Sequence, residues 1–303
     1  VTSGLSGRSL VLKQEDWLMA GRLEGKVAFI SGIGRGQGRS HALRFAEEGA
    51  DIIGIDICAD LPNVPYSLST RADLDETARL VEKLDRRIVA HVADVGDRAA
   101  VKAAIDDGVA QLGHLDVVFA NAGICALGDF PPETFFQHFD TLLVGAQNVF
   151  WAAYPHLQDG ASLIATGSVA SLIPGSVDGP AAGPGGRGYG LAKRTIAQYV
   201  KELALVLAPR MIRVNAVHPT NCNTALLHNE PMYQLFRPDI EHPTREQAEQ
   251  AFPAMQAMPI PYVEPIDISN AAVFLASDES RYVTGLQLRI DAGSVIKQLP
   301  DSL

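Results

Sequence analysis

The sequence predicts an α/β protein built on one doubly wound, mostly parallel sheet of about seven strands, with helices on both faces. Three observations point there. Short Val- and Ile-rich runs are apolar throughout, which suits strands covered on both sides. Longer amphipathic segments alternate with them, as strand–helix–strand crossovers require. With 303 residues, 47% of them hydrophobic, the chain can fill one large core without needing a second.

In order, the apolar runs place strands at 26–31, 51–56, 88–92, 115–120, 161–165, 212–217 and 286–290. Helical patterns fall between them at 38–48, 74–85, 98–111, 132–154, 189–207 and 266–276. Residues 1–20 have mixed composition and no period, so they read as an N-terminal extension, with Met19 as a candidate initiator. A single domain is expected over 21–303. Right-handed crossovers place ligands at the carboxyl ends of such strands, near the point where strand order reverses. Chemistry is therefore sought in the segments that follow the strands.

Composition excludes several classes of function. A formal charge of −10 and the lack of a Lys/Arg cluster argue against nucleic acid or an anionic membrane as partner. Cys58, Cys125 and Cys222 stand singly, without the CxxC spacing of a zinc site or the pairs of a disulfide framework. The histidines form no HExxH or other spaced ligand set, so no metal is expected. Lys13, Glu15 and Asp16 interrupt any leader-like apolar run, and no run of 18 apolar residues follows, so the expected setting is cytoplasmic.

The first strand ends in Ser31-Gly32-Ile33-Gly34-Arg35-Gly36-Gln37-Gly38, and a helical pattern follows. Glycines there permit a tight turn and let backbone amides meet a pyrophosphate at a helix N-terminus. Any Gly-rich turn would share that composition; what separates this one is the acidic Asp56 at the end of the second strand. Asp56 can accept hydrogen bonds from ribose hydroxyls and repels a 2′-phosphate, which favours NAD over NADP. Arg35 pulls the other way, because a cation in the loop could meet that phosphate. Asp94 and Val95, after the third strand, suit an adenine edge and ring, and Asn121-Ala122-Gly123, after the fourth, lets backbone approach a cofactor.

Tyr189 and Lys193 are four residues apart, on one face if the segment is helical. A phenol with an ordinary value near 10 is a poor base at neutral pH, but a nearby ammonium stabilises its phenolate. Such a pair can take a proton from an alcohol as hydride leaves the carbon. Lys193 can also hold ribose hydroxyls. Ser168, following the fifth strand, can bond the substrate oxygen. Thr166 and Ser171 are its rivals for that part. The Gly/Pro-rich stretch 174–188 reads as a flexible surface loop bordering the entrance. Neither a GxSxG elbow nor a GxxxxGK[ST] loop occurs, which excludes the usual hydrolase and P-loop chemistries.

Gly32-x3-Gly36-x-Gly38, Asn121-Ala122-Gly123, Ser168 and Tyr189-x3-Lys193 together resemble the short-chain dehydrogenase/reductase family, over about 21–297. Gly34-Arg35-Gly36-Gln37-Gly38-Arg39-Ser40-His41 and Ile55-Asp56-Ile57-Cys58 resemble more narrowly its mycofactocin-coupled, carveol-dehydrogenase-like subgroup. The resemblance implies a single Rossmann-type dinucleotide-binding and catalytic domain, usually a homotetramer. It implies Ser168 and Tyr189 as partners of the substrate oxygen and Lys193 as the ribose-binding, pKa-tuning residue. Pro219 takes the family's cofactor-side proline. The subgroup implies tightly held NAD, reoxidised by mycofactocin as electron acceptor. Two departures stand out. Ser31 replaces the common threonine, and Leu142 replaces the asparagine that supports a proton relay, which a leucine cannot do.

Residues 221–262 carry Leu226, Leu227, Met232, Tyr233, Leu235, Phe236, Phe252, Met255 and Met258. Such a segment suits a lid over a hydrophobic secondary alcohol or ketone, terpenoid or alicyclic, and equally suits core or subunit interface. Leu142 also motivates a different class, a catalytically weak NAD-binding sensor or scaffold. Within the family, the same residues also serve lyase, isomerase and reductase chemistry.

Overall fold

The computed structural model describes residues 21–299; the extension expected over 1–20, Met19 included, lies outside the described residues. Seven strands form one sheet: β1 Val27–Ser31, β2 Asp51–Asp56, β3 Ile88–Val92, β4 Leu115–Ala120, β5 Leu157–Thr166, β6 Arg213–Pro219 and β7 Gln287–Ile290. Their order is β3-β2-β1-β4-β5-β6-β7, and every neighbouring pair is parallel. The order reverses between β1 and β4, so the crevice a ligand uses opens at their carboxyl ends.

The helices are α1 Gly36–Glu47, α2 Arg71–Glu82, α3 Arg98–Leu112, α4 Glu133–Phe139, α5 Gly145–Ala153 and α6 Gly183–Leu207. They continue with α7 Glu230–Phe236, α8 Arg245–Ala251, α9 Pro265–Ala276 and α10 Ser294–Gln298. Strand residues alternate between two cores because successive side chains point to opposite faces. Val27 and Phe29 of β1, with Val118 of β4, pack under α3, α5 and α6. Ala28, Ile30 and Phe119 pack under α1, α2 and α9. Phe29, Phe45 and Phe119 are fully buried, each contributing about 1.5–3 kcal/mol by leaving water.

Several boundaries differ from the sequence pattern, β5 beginning at Leu157 and α1 at Gly36, and three of the differences have a clear local reason. α2 starts at Arg71, ahead of its first core residue Leu74, because Thr70 and Asp73 form a reciprocal capping box. The single helix expected over 132–154 is broken by a π-helical turn at Asp140–Val144, the segment that carries Leu142.

The third correction concerns 174–188. Its last six residues are not loop but the first turns of α6. Gly185 and Gly188 are needed there: a Cβ would stand 2.0 Å from the Ala126 carbonyl oxygen and 2.4 Å from that of Phe135. Close packing thus offsets the poor helix propensity of glycine. The remaining loop is fastened by a two-point ion pair, Arg194 to Asp178 at 2.9 and 3.0 Å.

Candidate functional site

One cleft opens along the carboxyl ends of β1 to β6, and the residues assigned from the sequence to cofactor or catalysis line it, the rival Ser171 excepted. Its floor is the fork between β1 and β4. Ser31 Oγ accepts from the amides of Asn121 at 3.0 Å and Ala122 at 3.1 Å, and Asn121 Nδ2 donates back to the Ser31 carbonyl at 3.1 Å. The serine hydroxyl thus closes the fork.

Gly32 and Gly36 sit at φ +76° and +56°, in the left-handed region where a side chain is strained. Gly38 is held by space: a Cβ would come within 1.8 Å of the Gly32 carbonyl oxygen. The first turn of α1 has no side-chain cap and no acidic residue, so its amides suit an anion. Beside it, Gln37 Oε1 is buried without a partner among the described residues. This end of the cleft fits a dinucleotide pyrophosphate.

Asp56 is buried at the end of β2, where its carboxylate accepts from Gly34 N at 2.7 Å, from Cys58 N at 3.3 Å and from the Ser69 hydroxyl. These contacts fix the orientation of its carboxylate at the end of β2. Arg35 lines the same edge but donates to the Ser67 carbonyl. Asp94 is exposed and caps Gly96 N at 2.8 Å, whereas Val95 is buried and its carbonyl accepts from Asn148 at 2.9 Å. Pro219 ends β6 on the cleft's opposite wall.

At the other end, α6 carries Tyr189 and Lys193 inward while β5 delivers Ser168. Lys193 is buried; its Nζ donates to the Thr166 carbonyl at 2.6 Å and lies 5.7 Å from the centroid of the Tyr189 ring. Burial pushes the Lys193 ammonium down to about 8, so it is still mostly protonated at neutral pH. Burial pushes the Tyr189 phenol above the ordinary tyrosine value; the Cys125 thiol adds to the rise, and the Ser168 hydroxyl, as hydrogen-bond partner, opposes it. A neutral phenol beside an ammonium and a hydroxyl can give a proton to a carbonyl oxygen, or take one from an alcohol once ionised.

Both rivals of Ser168 are engaged elsewhere. Thr166 Oγ1 donates to Asn121 Oδ1 at 3.1 Å. Ser171 Oγ donates to the Ser168 carbonyl at 2.6 Å and lies outside the cleft lining. Leu142 is buried in the π turn and lies against Gly123, where an added Cβ would meet it at 2.9 Å. That part of the floor is apolar.

The apolar residues of 221–262 differ in where they lie. Leu226, Leu227, Met232, Leu235, Phe236 and Met255 face the cleft, while Phe252 is fully buried beneath them and Met258 is exposed. Sequence reasoning missed Tyr66 and Ser69, both on the long connection between β2 and α2. Tyr66 Oη accepts from Cys125 N at 2.9 Å, so that connection reaches across the cleft. No spacing motif marks either residue. Among the described residues no cluster of His, Cys, Asp and Glu could hold a metal, and no helix is long and apolar enough to cross a membrane.

Comparison with known proteins agrees with this geometry. The family model described as enoyl-(acyl carrier protein) reductase matches residues 32–294. A (−)-trans-carveol dehydrogenase from Rhodococcus erythropolis is 43% identical, over 91% of this chain and 99% of its own. The crystal structure of a carveol dehydrogenase from Mycobacterium avium in complex with NAD superposes with a TM-score of 0.86 at 45% identity, covering 91% of this chain and 100% of that one. A short chain dehydrogenase from Mycobacterium paratuberculosis bound to NAD gives 0.80 at 38% identity, over 91% and 99% of the two chains.

Proposed function

The chain belongs to the short-chain dehydrogenase/reductase family, and on that premise we propose that it moves a hydride between NAD and a hydrophobic secondary alcohol or ketone of terpenoid or alicyclic type. It is an NAD-dependent oxidoreductase. The observation that carries the substrate reading is the meeting of Tyr189, Lys193 and Ser168 with an apolar wall from 221–262 in one cleft.

When bound, NAD supplies the acceptor or donor of the hydride. The residues of the chain do the rest. Ser168 Oγ donates a hydrogen bond to the substrate oxygen and stabilises the charge that develops on it. Tyr189 Oη delivers the proton in ketone reduction and removes it in alcohol oxidation. Lys193 lowers the cost of the phenolate and holds ribose hydroxyls. Asp56 accepts from the other ribose and rejects a 2′-phosphate. Leu226, Leu235 and Phe236 exclude water and favour a ring of carbons over a polar chain.

Tight retention of NAD, with mycofactocin as the electron acceptor, belongs to the same proposal. Its support is the β2–α2 connection, which spans the cleft and is tied to the far side through Tyr66 and Cys125. Exposed Trp151 on α5 and Leu205 and Val206 on α6 favour the homotetramer. A scaffold without catalysis finds no supporting contact, because Leu142 displaces none of the three reacting groups.

The test is turnover of cyclic secondary alcohols with NAD and an artificial electron acceptor, in the wild type and Tyr189→Phe. The wild type should be faster by roughly 10²–10⁴. Its oxidation rate should climb with pH as the phenol ionises, and ketone reduction should decline. Equal rates in the two proteins, or none from either across the panel, would overturn the reading.

A further inference from the structure

His218, the penultimate residue of β6, is fully buried and makes no contact that the hydride-transfer scheme uses. Its ring lies directly behind Ser168. Nδ1 stands 3.1 Å from Ser168 N, 3.0 Å from the Ser168 carbonyl oxygen and 3.1 Å from Ser171 Oγ. Nε2 stands 2.8 Å from Gln287 Oε1 on β7.

The tautomer follows from the outer partner. Gln287 Nε2 donates to the Gly285 carbonyl at 3.4 Å, which turns Oε1 toward the ring. Nε2 of His218 therefore carries the hydrogen, and the lone pair of Nδ1 is left to accept from Ser168 N–H. The Ser168 carbonyl is occupied separately by Ser171, through its hydroxyl at 2.6 Å and its amide at 3.0 Å. Both polar groups of the Ser168 backbone are thus pinned. Its remaining freedom is χ1, and Ser168 Oγ accepts from Ala170 N at 3.1 Å. Burial lowers the basicity of the imidazole, outweighing the hydrogen bonds to the Ser168 backbone and Gln287 that raise it, and this favours the neutral ring that can accept.

A second observation ties the ring to this place. At Gly167 an added Cβ would lie 2.4 Å from His218 Cε1 and 2.5 Å from Nδ1. Gly167 also donates its amide to the Val217 carbonyl at 2.7 Å, locking β5 to β6 beside the ring. The glycine before the serine and the histidine before the proline form one complementary pair.

We infer that His218 is a positioning residue for the reaction: by accepting from the Ser168 amide it fixes the turn that aims Ser168 Oγ at the substrate oxygen beside Tyr189. The inference rests on the reading of Ser168 as a substrate-oxygen partner. A histidine that only filled the core would give the same packing with no effect specific to the chemical step.

The experiment compares His218→Phe, which keeps a ring and loses the acceptor, with His218→Asn, whose amide oxygen can accept from Ser168 N–H. Each is measured for kcat, KM, NAD affinity and thermal midpoint, and crystallised with NAD. In His218→Phe, kcat should fall roughly 10- to 100-fold, as a sub-ångström to ångström misplacement of a reacting group does. KM and NAD affinity should stay within about twofold, because only the transition state loses an interaction. The crystal structure should show Ser168 Oγ turned from Tyr189. His218→Asn should regain most of the loss. Unchanged kcat with Ser168 unmoved would overturn the inference, as would a joint fall of kcat, NAD affinity and thermal midpoint in both variants. If the wild type oxidises no alcohol, the functional reading fails by itself, and the position of Ser168 in the crystals still decides the role of His218.

Discussion

The two ends of the cleft are built from different materials. The cofactor end is mostly backbone: glycines at positive φ, the uncapped first turn of α1, and amides locked to Ser31 and Asp56. The substrate end is mostly side chains, held by contacts such as Arg245–Glu249 at 2.7 Å and the Phe236–Phe252 ring pair at 4.7 Å. Backbone geometry tolerates one residue type at a given place, whereas a side-chain wall tolerates many. The cofactor end should therefore break under a methyl group, and the substrate end should only change its preferences.

The sharpest break is Gly38→Ala. The added methyl meets the Gly32 carbonyl oxygen at 1.8 Å, and main chain in a tight turn cannot step aside as a side chain can. The loss of stability should be about 3 kcal/mol, the upper end of an overpacking cost. NAD binding should fall with it, as calorimetry and a denaturant titration on the same sample would show. A variant that keeps both within error would refute the contrast.

The same contrast explains what could be read from the sequence. The central strands and their parallel arrangement were legible because strands buried on both faces leave nearly unbroken apolar runs, whereas the edge strands β3 and β7 carry His91, Gln287 and Arg289 and gave a weaker signal. Gly32, Gly36 and Gly38 were legible because few residues can replace them. The start of α6 was not: Gly183 to Gly188 look like loop by propensity, and only the neighbouring carbonyls of Ala126 and Phe135 reveal why glycine is required in a helix there. Tyr66 and His218 were also silent, since each acts through a partner far away in the chain, Cys125 in one case and Ser168 in the other. Long-range contacts leave no local period.

Asp56 tests the boundary between the two materials, because it is a side chain serving the backbone end. In Asp56→Ser the repulsion of a 2′-phosphate disappears, and the ratio of kcat/KM for NAD over NADP should fall about 100-fold. The serine also leaves Gly34 N without its 2.7 Å partner, costing about 1–2 kcal/mol. An unchanged cofactor ratio would show that the Asp56 carboxylate does not set the discrimination.

The smallest effect is expected at the substrate end. Leu226 faces the cleft and is only half-buried, so Leu226→Ala enlarges the site without emptying the core. Between a substrate that fills the vacated space and one that does not, the change in kcat/KM should be roughly 10-fold, as for a few methylenes in an apolar pocket. The thermal midpoint should move little, and NAD affinity not at all. The sign is informative as well: bulkier cyclic alcohols should gain relative to smaller ones, because the wall recedes. If instead all substrates lost activity together and the midpoint dropped, Leu226 would belong to the packing that centres on Phe252, and the substrate end would be as intolerant as the glycine loop.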